Sequence, residues 1–182
     1  MRTLFNALFA LAMLALSQTP VVAGWDANKY EKESKAASAA IAEFKKRDPS
    51  LKAFFEKAYA YAVLPTIGKG AIGIGGAYGD GVVYQAGKII GYTSMTQVTI
   101  GFQLGGQAYR ELIFFKDKKT FDEFKNGKLK FSAQASAVAA KAGAAANVDY
   151  SGGVAIFTMV EGGLMYEASV GGQAFSFEPL GK

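Results

Sequence analysis

The fold of this chain is decided by residues 65–85, which read PTIGKGAIGIGGAYGDGVVYQ. Glycine dominates this stretch, and most of the other positions hold valine, isoleucine, tyrosine or alanine. Alternating β-branched and aromatic residues indicate strands, while glycines suit turns and the close approach of neighbouring backbones. A glycine-rich β-structure is therefore predicted to begin after Pro65.

Upstream of this stretch the sequence favours helices. Residues 25–46 are rich in alanine, lysine and glutamate, and their apolar residues recur at helical spacing. Asp48 and Pro49 are typical of a new helix start, because Asp caps helix N-termini and Pro is tolerated at the first helical position. Apolar residues then recur on one helical face through residues 51–64, so a second helix is predicted to run to the proline.

Downstream, turn signals and alternating apolar residues predict further strands. Gly-Asp-Gly at 79–81 and Ala-Gly at 86–87 are expected to be turns. Residues 97–104 and 110–115 are predicted strands, and residues 117–125 a short helix. The predicted fold is α+β, with N-terminal helices packed on a strongly curved, glycine-rich antiparallel β-sheet or small barrel.

The first 23 residues have the pattern of a secretory signal peptide. A single charge at Arg2 precedes an apolar run over residues 4–16, and small residues follow at Val21 and Ala23. The run is shorter than the roughly 20 residues that a membrane-spanning helix needs. We therefore expect an exported protein, periplasmic or secreted or peripheral to a membrane, with a signal peptide at 1–23, a helical segment at 24–64 and a β-rich domain at 65–182.

The composition argues against most enzyme chemistry. The chain has no His and no Cys, which excludes Ser-His-Asp and Cys-His triads and the usual zinc sites. GKGAIG at 68–73 matches a dinucleotide-binding fingerprint in its letters, but that fingerprint needs a preceding strand and a following helix, and here the predicted order is reversed. Turn formation is the ordinary role of the remaining acidic candidates, Asp80, Asp149, Glu161 and Glu167. The sequence thus predicts a non-enzymatic protein without cofactor or metal.

Charge and aromatic residues indicate a surface that meets anionic groups. The net charge is +5, and the predicted processing removes one basic residue, which leaves +4. Basic side chains around an apolar face are typical of a segment that binds a membrane interface, and export makes nucleic acid an improbable partner. A second lysine group around residues 116–130 is diluted by acidic residues and is expected to be a solvated helix. The predicted lipid-binding residues are Lys45, Lys46, Arg47, Lys52, Phe54, Phe55, Lys57 and Lys69.

Four motifs in order resemble the SYLF domain, a lipid-binding module of bacterial exported proteins and eukaryotic actin regulators. They are AYAVLP at 60–65, KGAIGIGG at 69–76, YGDGVV at 78–83 and GFQLGGQ at 101–107. The resemblance extends from about Ala58 to Leu180. It departs at residues 92–95, YTSM, where many relatives have a Trp-Ser-x-Pro-like segment, and in the signal peptide that occupies the region before the helices.

The resemblance implies binding of phosphoinositides or other anionic lipids, and in some fungal members of actin. An exported protein would meet neither actin nor, normally, phosphoinositides, so anionic phospholipid or a membrane surface is the expected partner here. Two alternatives stay open at this point. One is a module that binds another envelope protein through exposed strand edges, and the other is a carrier of a small apolar ligand inside a β-barrel.

Overall fold

The computed structural model describes residues 27–72, 74–99, 108–131, 136–160 and 168–181. The predicted signal peptide and the motif at 101–107 lie outside these residues. The described residues 27–30 belong to one unit of the chain, and the described residues from 31 onward belong to the other. The elements are α1 (Ala27–Arg47), α2 (Lys52–Lys57), β1 (Ala60–Ile72), β2 (Ile74–Gln85), β3 (Lys88–Thr99), β4 (Tyr109–Phe115), α3 (Lys118–Lys125), β5 (Ser136–Ala139), β6 (Val154–Val160), β7 (Ala168–Ser169) and β8 (Gln173–Pro179).

The described strands form one sheet in the order β7-β5-β6-β4-β1-β2-β3-β8. The α+β class is confirmed. The sheet is mixed rather than wholly antiparallel, because β5 and β6 run parallel. Its terminal strands β7 and β8 are not paired with each other in the described part of the chain, so the small-barrel alternative is wrong. The alternative of a carrier that holds its ligand inside a closed barrel is therefore not supported.

The predicted second helix is too long. Helix α2 ends at Lys57, and Ala58 already has extended backbone angles of φ −65° and ψ 142°. Strand β1 starts at Ala60 and pairs with both β2 and β4. Ala62 and Leu64 are buried on one side of the sheet and Val63 on the other, so this strand is apolar on both faces. Its sequence therefore lacks the alternation of apolar and polar residues that would have distinguished it from a helix.

The predicted turn at residues 79–81 lies inside β2. The two glycines have a packing role instead, because a Cβ atom on Gly81 would stand 2.6 Å from the carbonyl oxygen of Val63 on the adjacent strand. The register of β1 shifts beside this contact, between Val63 and Thr66. The turn predicted at Ala86 and Gly87 is confirmed, and both residues have the positive φ of a tight hairpin, 48° and 74°.

Apolar side chains are buried on both faces of the sheet. On one face, Ile113 and Phe115 of β4 pack with Phe121 and Phe124 of α3. On the other face, Leu112 and Phe114 of β4 are buried in a second cluster, which also contains α1 and α2 residues. The helical members of that cluster are Ala37, Ala40, Phe44 and Phe54.

Candidate functional site

The predicted basic residues lie at the end of α1 and along α2. Lys45, Lys46 and Arg47 form the last turn of α1, where positive charge is favourable against the negative end of the helix dipole. Lys52 and Lys57 are the first and last residues of α2. All five side chains are exposed. We refer to residues 45–57 as the basic corner.

An open cleft of about 570 Å³ lies at the basic corner. It brings together three of the eight predicted lipid-binding residues, Lys45, Lys52 and Phe55. Sequence reasoning missed its other lining residues, which are Pro49, Glu56, Tyr61 and Gly87. Tyr61 was hidden by its assignment to a helix, since only the strand places it beside α2.

Phe55 forms the aromatic part of this cleft. The Lys45 Nζ atom lies 4.4 Å from the centre of its ring, within the range of a cation–π contact. The ring also meets Tyr61 and Phe114 edge-to-face, with centroids 5.1 and 4.9 Å away. Phe55 is therefore half-buried and is held by core residues while a lysine covers it.

Phe54 has a different place from that of its neighbour. Its side chain is only 8% exposed and packs against Phe157, Phe114 and Tyr150, with ring centroids 5.2 to 5.4 Å apart. Successive helix residues point about 100° apart, so one of the two rings faces the core and the other faces the cleft. Phe54 is a core residue in this structure and presents no surface for insertion into lipid.

Asp48 holds the basic corner against a distant loop. Its buried carboxylate accepts hydrogen bonds from the backbone N–H groups of Ser50, Gly143 and Ala145 at 2.8 to 3.1 Å, and from the Ser50 hydroxyl. Burial raises the pKa of Asp48, but these four hydrogen bonds outweigh it and hold the pKa below its usual value. The predicted cap at Asp48-Pro49 is confirmed. The hydrogen bonds from Gly143 and Ala145 to Asp48 were not predicted from the sequence.

Acidic neighbours offset part of the positive charge. Glu43 lies 3.9 Å from the Arg47 guanidinium and also pairs with Arg110, and Glu56 lies 3.7 Å from the Lys52 ammonium. Exposed pairs of this kind contribute only about 0–1 kcal/mol, so lysines in them can exchange partners cheaply. Lys69 lies on β1, but its side chain is outside the described residues.

The second lysine group surrounds α3. Asp122 pairs with Lys118 and Lys125, while Phe121 and Phe124 are buried against β4. Its aromatic residues therefore belong to the core and its lysines to a solvated face. In the described part of the chain, no three acidic residues cluster so as to hold a metal ion. No helix there is both long and apolar enough to cross a membrane.

Two comparisons with known proteins give matches. Residues 96–179 match the family model described as "Ysc84: Las17-binding protein actin regulator". A curated relative, Beta cell expansion factor A of Aeromonas veronii, is 31% identical over 141 residues, which cover 76% of this chain and 53% of the relative. The chain thus spans about half the length of that relative. The family match begins beyond the basic corner, so it bears on the second half of the sheet.

Proposed function

The chain belongs to the SYLF (Ysc84) family, as its motifs predicted, and from this premise we propose that it binds anionic lipid headgroups at a membrane surface through the basic corner. The family is associated with binding of lipids or of actin regulators. We choose lipid binding and assign it to the basic corner. It includes no catalytic step, which agrees with a chain that has neither His nor Cys.

The observation that supports this proposal most is the open cleft that Lys45, Lys52 and Phe55 line together. Ammonium groups attract headgroup phosphates, and the part of a half-buried aromatic ring that stays accessible can contact the glycerol and upper acyl region. Each basic residue near an anionic membrane contributes about 1 kcal/mol. The five basic residues of the corner therefore support reversible binding even when Glu43 and Glu56 offset part of their charge.

The residues before α1 support the location that we propose. The charged start, short apolar run and small residues of positions 1–23 match a signal peptide, which would bring the chain to the periplasm or beyond. The accessible anionic surface there is phospholipid headgroup. We propose that the protein is exported and associates with such a surface peripherally.

The first prediction concerns the charge of the basic corner. Changing Lys45, Lys46 and Arg47 together to Gln should weaken binding to phosphatidylserine-containing vesicles by roughly a hundredfold, because three contributions of about 1 kcal/mol are lost. Vesicle sedimentation at low salt and at about 0.5 M salt measures this effect. Binding by the unchanged protein should need anionic lipid and weaken with salt.

A matched control removes the same charge elsewhere. Lys119, Lys128 and Lys130 are exposed lysines around α3, and their change to Gln should leave binding within about threefold of the original. Equal losses in both triple variants would mean that net charge, rather than the basic corner, drives binding. Failure of the unchanged protein to bind anionic vesicles would refute the proposal and favour a protein partner.

The second prediction separates the aromatic contribution from the charge. Phe55→Ala should weaken vesicle binding about tenfold, because roughly half of an aromatic side chain's burial is lost. Phe55→Leu should recover most of the binding, since the requirement is for apolar area. The salt dependence should stay that of the original protein in both variants, and a changed dependence would show that the ring acts through Lys45 instead.

A further inference from the structure

A buried carboxyl group on β4 takes no part in the proposed function. Glu111 is fully buried, and its Oε2 atom accepts a hydrogen bond of 2.9 Å from the Gln173 side-chain amide. Its Oε1 atom has no partner among the described residues, and the same holds for the hydroxyl of Thr158 and the side-chain carbonyl oxygen of Gln173. Thr158 lies directly opposite Glu111 in the β4–β6 ladder. Two unsatisfied buried oxygens on neighbouring strands require an explanation.

The bond between Glu111 and Gln173 joins strands that are not neighbours. Strand β8 follows β4 only after β1, β2 and β3 in the sheet order. A flat sheet would hold β4 and β8 roughly 19 Å apart, at about 4.8 Å per strand. The two side chains meet across one face of the sheet instead. This bond therefore ties an edge strand to the middle of the sheet.

No positive charge compensates Glu111 within the described part of the chain. Tyr109 on the same strand, Leu64 on β1, Thr158 on β6 and Gln173 on β8 are the groups that face it. The adjacent Arg110 is engaged on the opposite side, by Glu43 and the carbonyl oxygen of Pro65. Burial, and then the charge of Glu111, raise the pKa of Tyr109, which keeps the phenol neutral.

We propose that Glu111 is a proton-operated latch that holds β8 to the centre of the sheet. In its protonated form, the carboxyl donates a hydrogen bond from Oε1 to the Thr158 hydroxyl while Oε2 still accepts from Gln173, so that the carboxyl and the hydroxyl both gain a partner. Loss of the proton leaves a charge in an apolar interior without a counter-ion. Strand β8 lies at one edge of the sheet and, among the described residues, pairs with β3 alone, so its opening would relieve this charge at the cost of one strand pairing.

The direction of the pH dependence follows from burial. Burial raises the pKa of Glu111 to about 7, against the smaller opposing effect of the Gln173 hydrogen bond, from a usual value of 4.5. The closed latch thus binds the proton more tightly than the open one, so opening becomes more frequent as the pH rises from 4.5 to 7 and levels off above 7. The opening equilibrium should rise about tenfold per pH unit within that window and roughly three-hundredfold in all.

Hydrogen exchange of the full chain tests the latch. The protection of backbone amides in residues 173–179 is measured by mass spectrometry at pH 5, 6, 7 and 8, and corrected for intrinsic exchange. Protection should fall about a hundredfold across this series in the original protein and stay constant in Glu111→Gln. Glu178→Gln makes the same chemical change at an exposed position of β8 and should keep the original pH dependence.

Three outcomes would overturn the latch. The same pH dependence in Glu111→Gln would place the titrating group elsewhere, and a carboxyl pKa below 5, measured by carbon-13 NMR on the original protein, would remove the proton from the cluster. The NMR measurement decides the question even if the variant does not fold. Restored protection at pH 8 on addition of Na⁺, K⁺ or Ca²⁺ would show that a cation, and not a proton, satisfies these oxygens.

Discussion

Phe54→Ala is expected to lower the free energy of unfolding by about 4 kcal/mol, the usual loss for a fully packed phenylalanine. The ring contacts Phe114 of β4, Phe157 of β6 and Tyr150 in the loop before β6, so its removal leaves a cavity between α2 and the sheet. Denaturant unfolding monitored by circular dichroism measures the change. Phe54→Leu, which fills part of the space, should lose less than half as much.

The neighbouring ring provides the contrast. Phe55→Ala removes a half-buried side chain and should reduce stability by about 1 to 2 kcal/mol. The order of the two effects is expected to reverse in vesicle binding. Phe55→Ala should weaken binding, whereas Phe54→Ala, once corrected for its folded fraction, should leave it unchanged. A Phe54 variant that is fully stable but no longer binds vesicles would restore Phe54 as a membrane anchor.

Asp48→Ala is the second change with a large expected effect, a loss of about 4 kcal/mol. It leaves the N–H groups of Ser50, Gly143 and Ala145 without an acceptor in a buried site, and each such group costs about 1–3 kcal/mol. Asp48→Asn keeps one carbonyl oxygen, so its stability should lie between that of the original protein and that of Asp48→Ala. Thermal unfolding with a matched Ser50→Ala control, which removes only the hydroxyl bond, checks the ranking.

The lowered pKa of Asp48 gives this prediction a pH dependence. A carboxyl whose folded pKa lies below its unfolded value of 3.8 stabilises the protein above that pH, and the stabilisation is lost as the pH falls through the folded pKa. The difference in stability between the original protein and Asp48→Ala should therefore shrink below about pH 4. A difference that stays constant down to pH 2 would mean that the carboxylate charge plays no part.

The α+β class could be predicted because composition changes sharply where the helices end. The boundary itself could not, since β1 is buried on both faces and residues 58–64 repeat their apolar positions as a helix would. A strongly curved sheet or small barrel was expected from the many glycines, yet Gly81 serves the close approach of the neighbouring strands β1 and β3 to its own backbone. Composition reports how many glycines there are, and only strand pairing determines their use.

The sequence could predict which segment carries the candidate site, but not which of its side chains lie on the surface. The run of basic residues at 45–57 was visible, but helical spacing could not tell which of Phe54 and Phe55 faces the core. The contact of Asp48 with residues 143–145 joins parts of the chain that no local pattern connects. Glu111 was detectable in principle, because it is a lone acidic residue in the apolar segment YRELIFF.

The strand order has a consequence for how the chain is made. The central strands β4, β1, β2 and β3 all come from residues 60–115, while both flanks of the sheet come from residues after 135. Strand β3 pairs with β2 early but gains its second partner only when residues 173–179 exist, as in the pairing of Gly91 with Pro179. During synthesis from the N-terminus, the growing chain thus carries a half-built sheet with open edges until residues 173–179 emerge, and distant pairing of this kind folds slowly. The longer this interval lasts, the longer the open strand edges are available for aggregation.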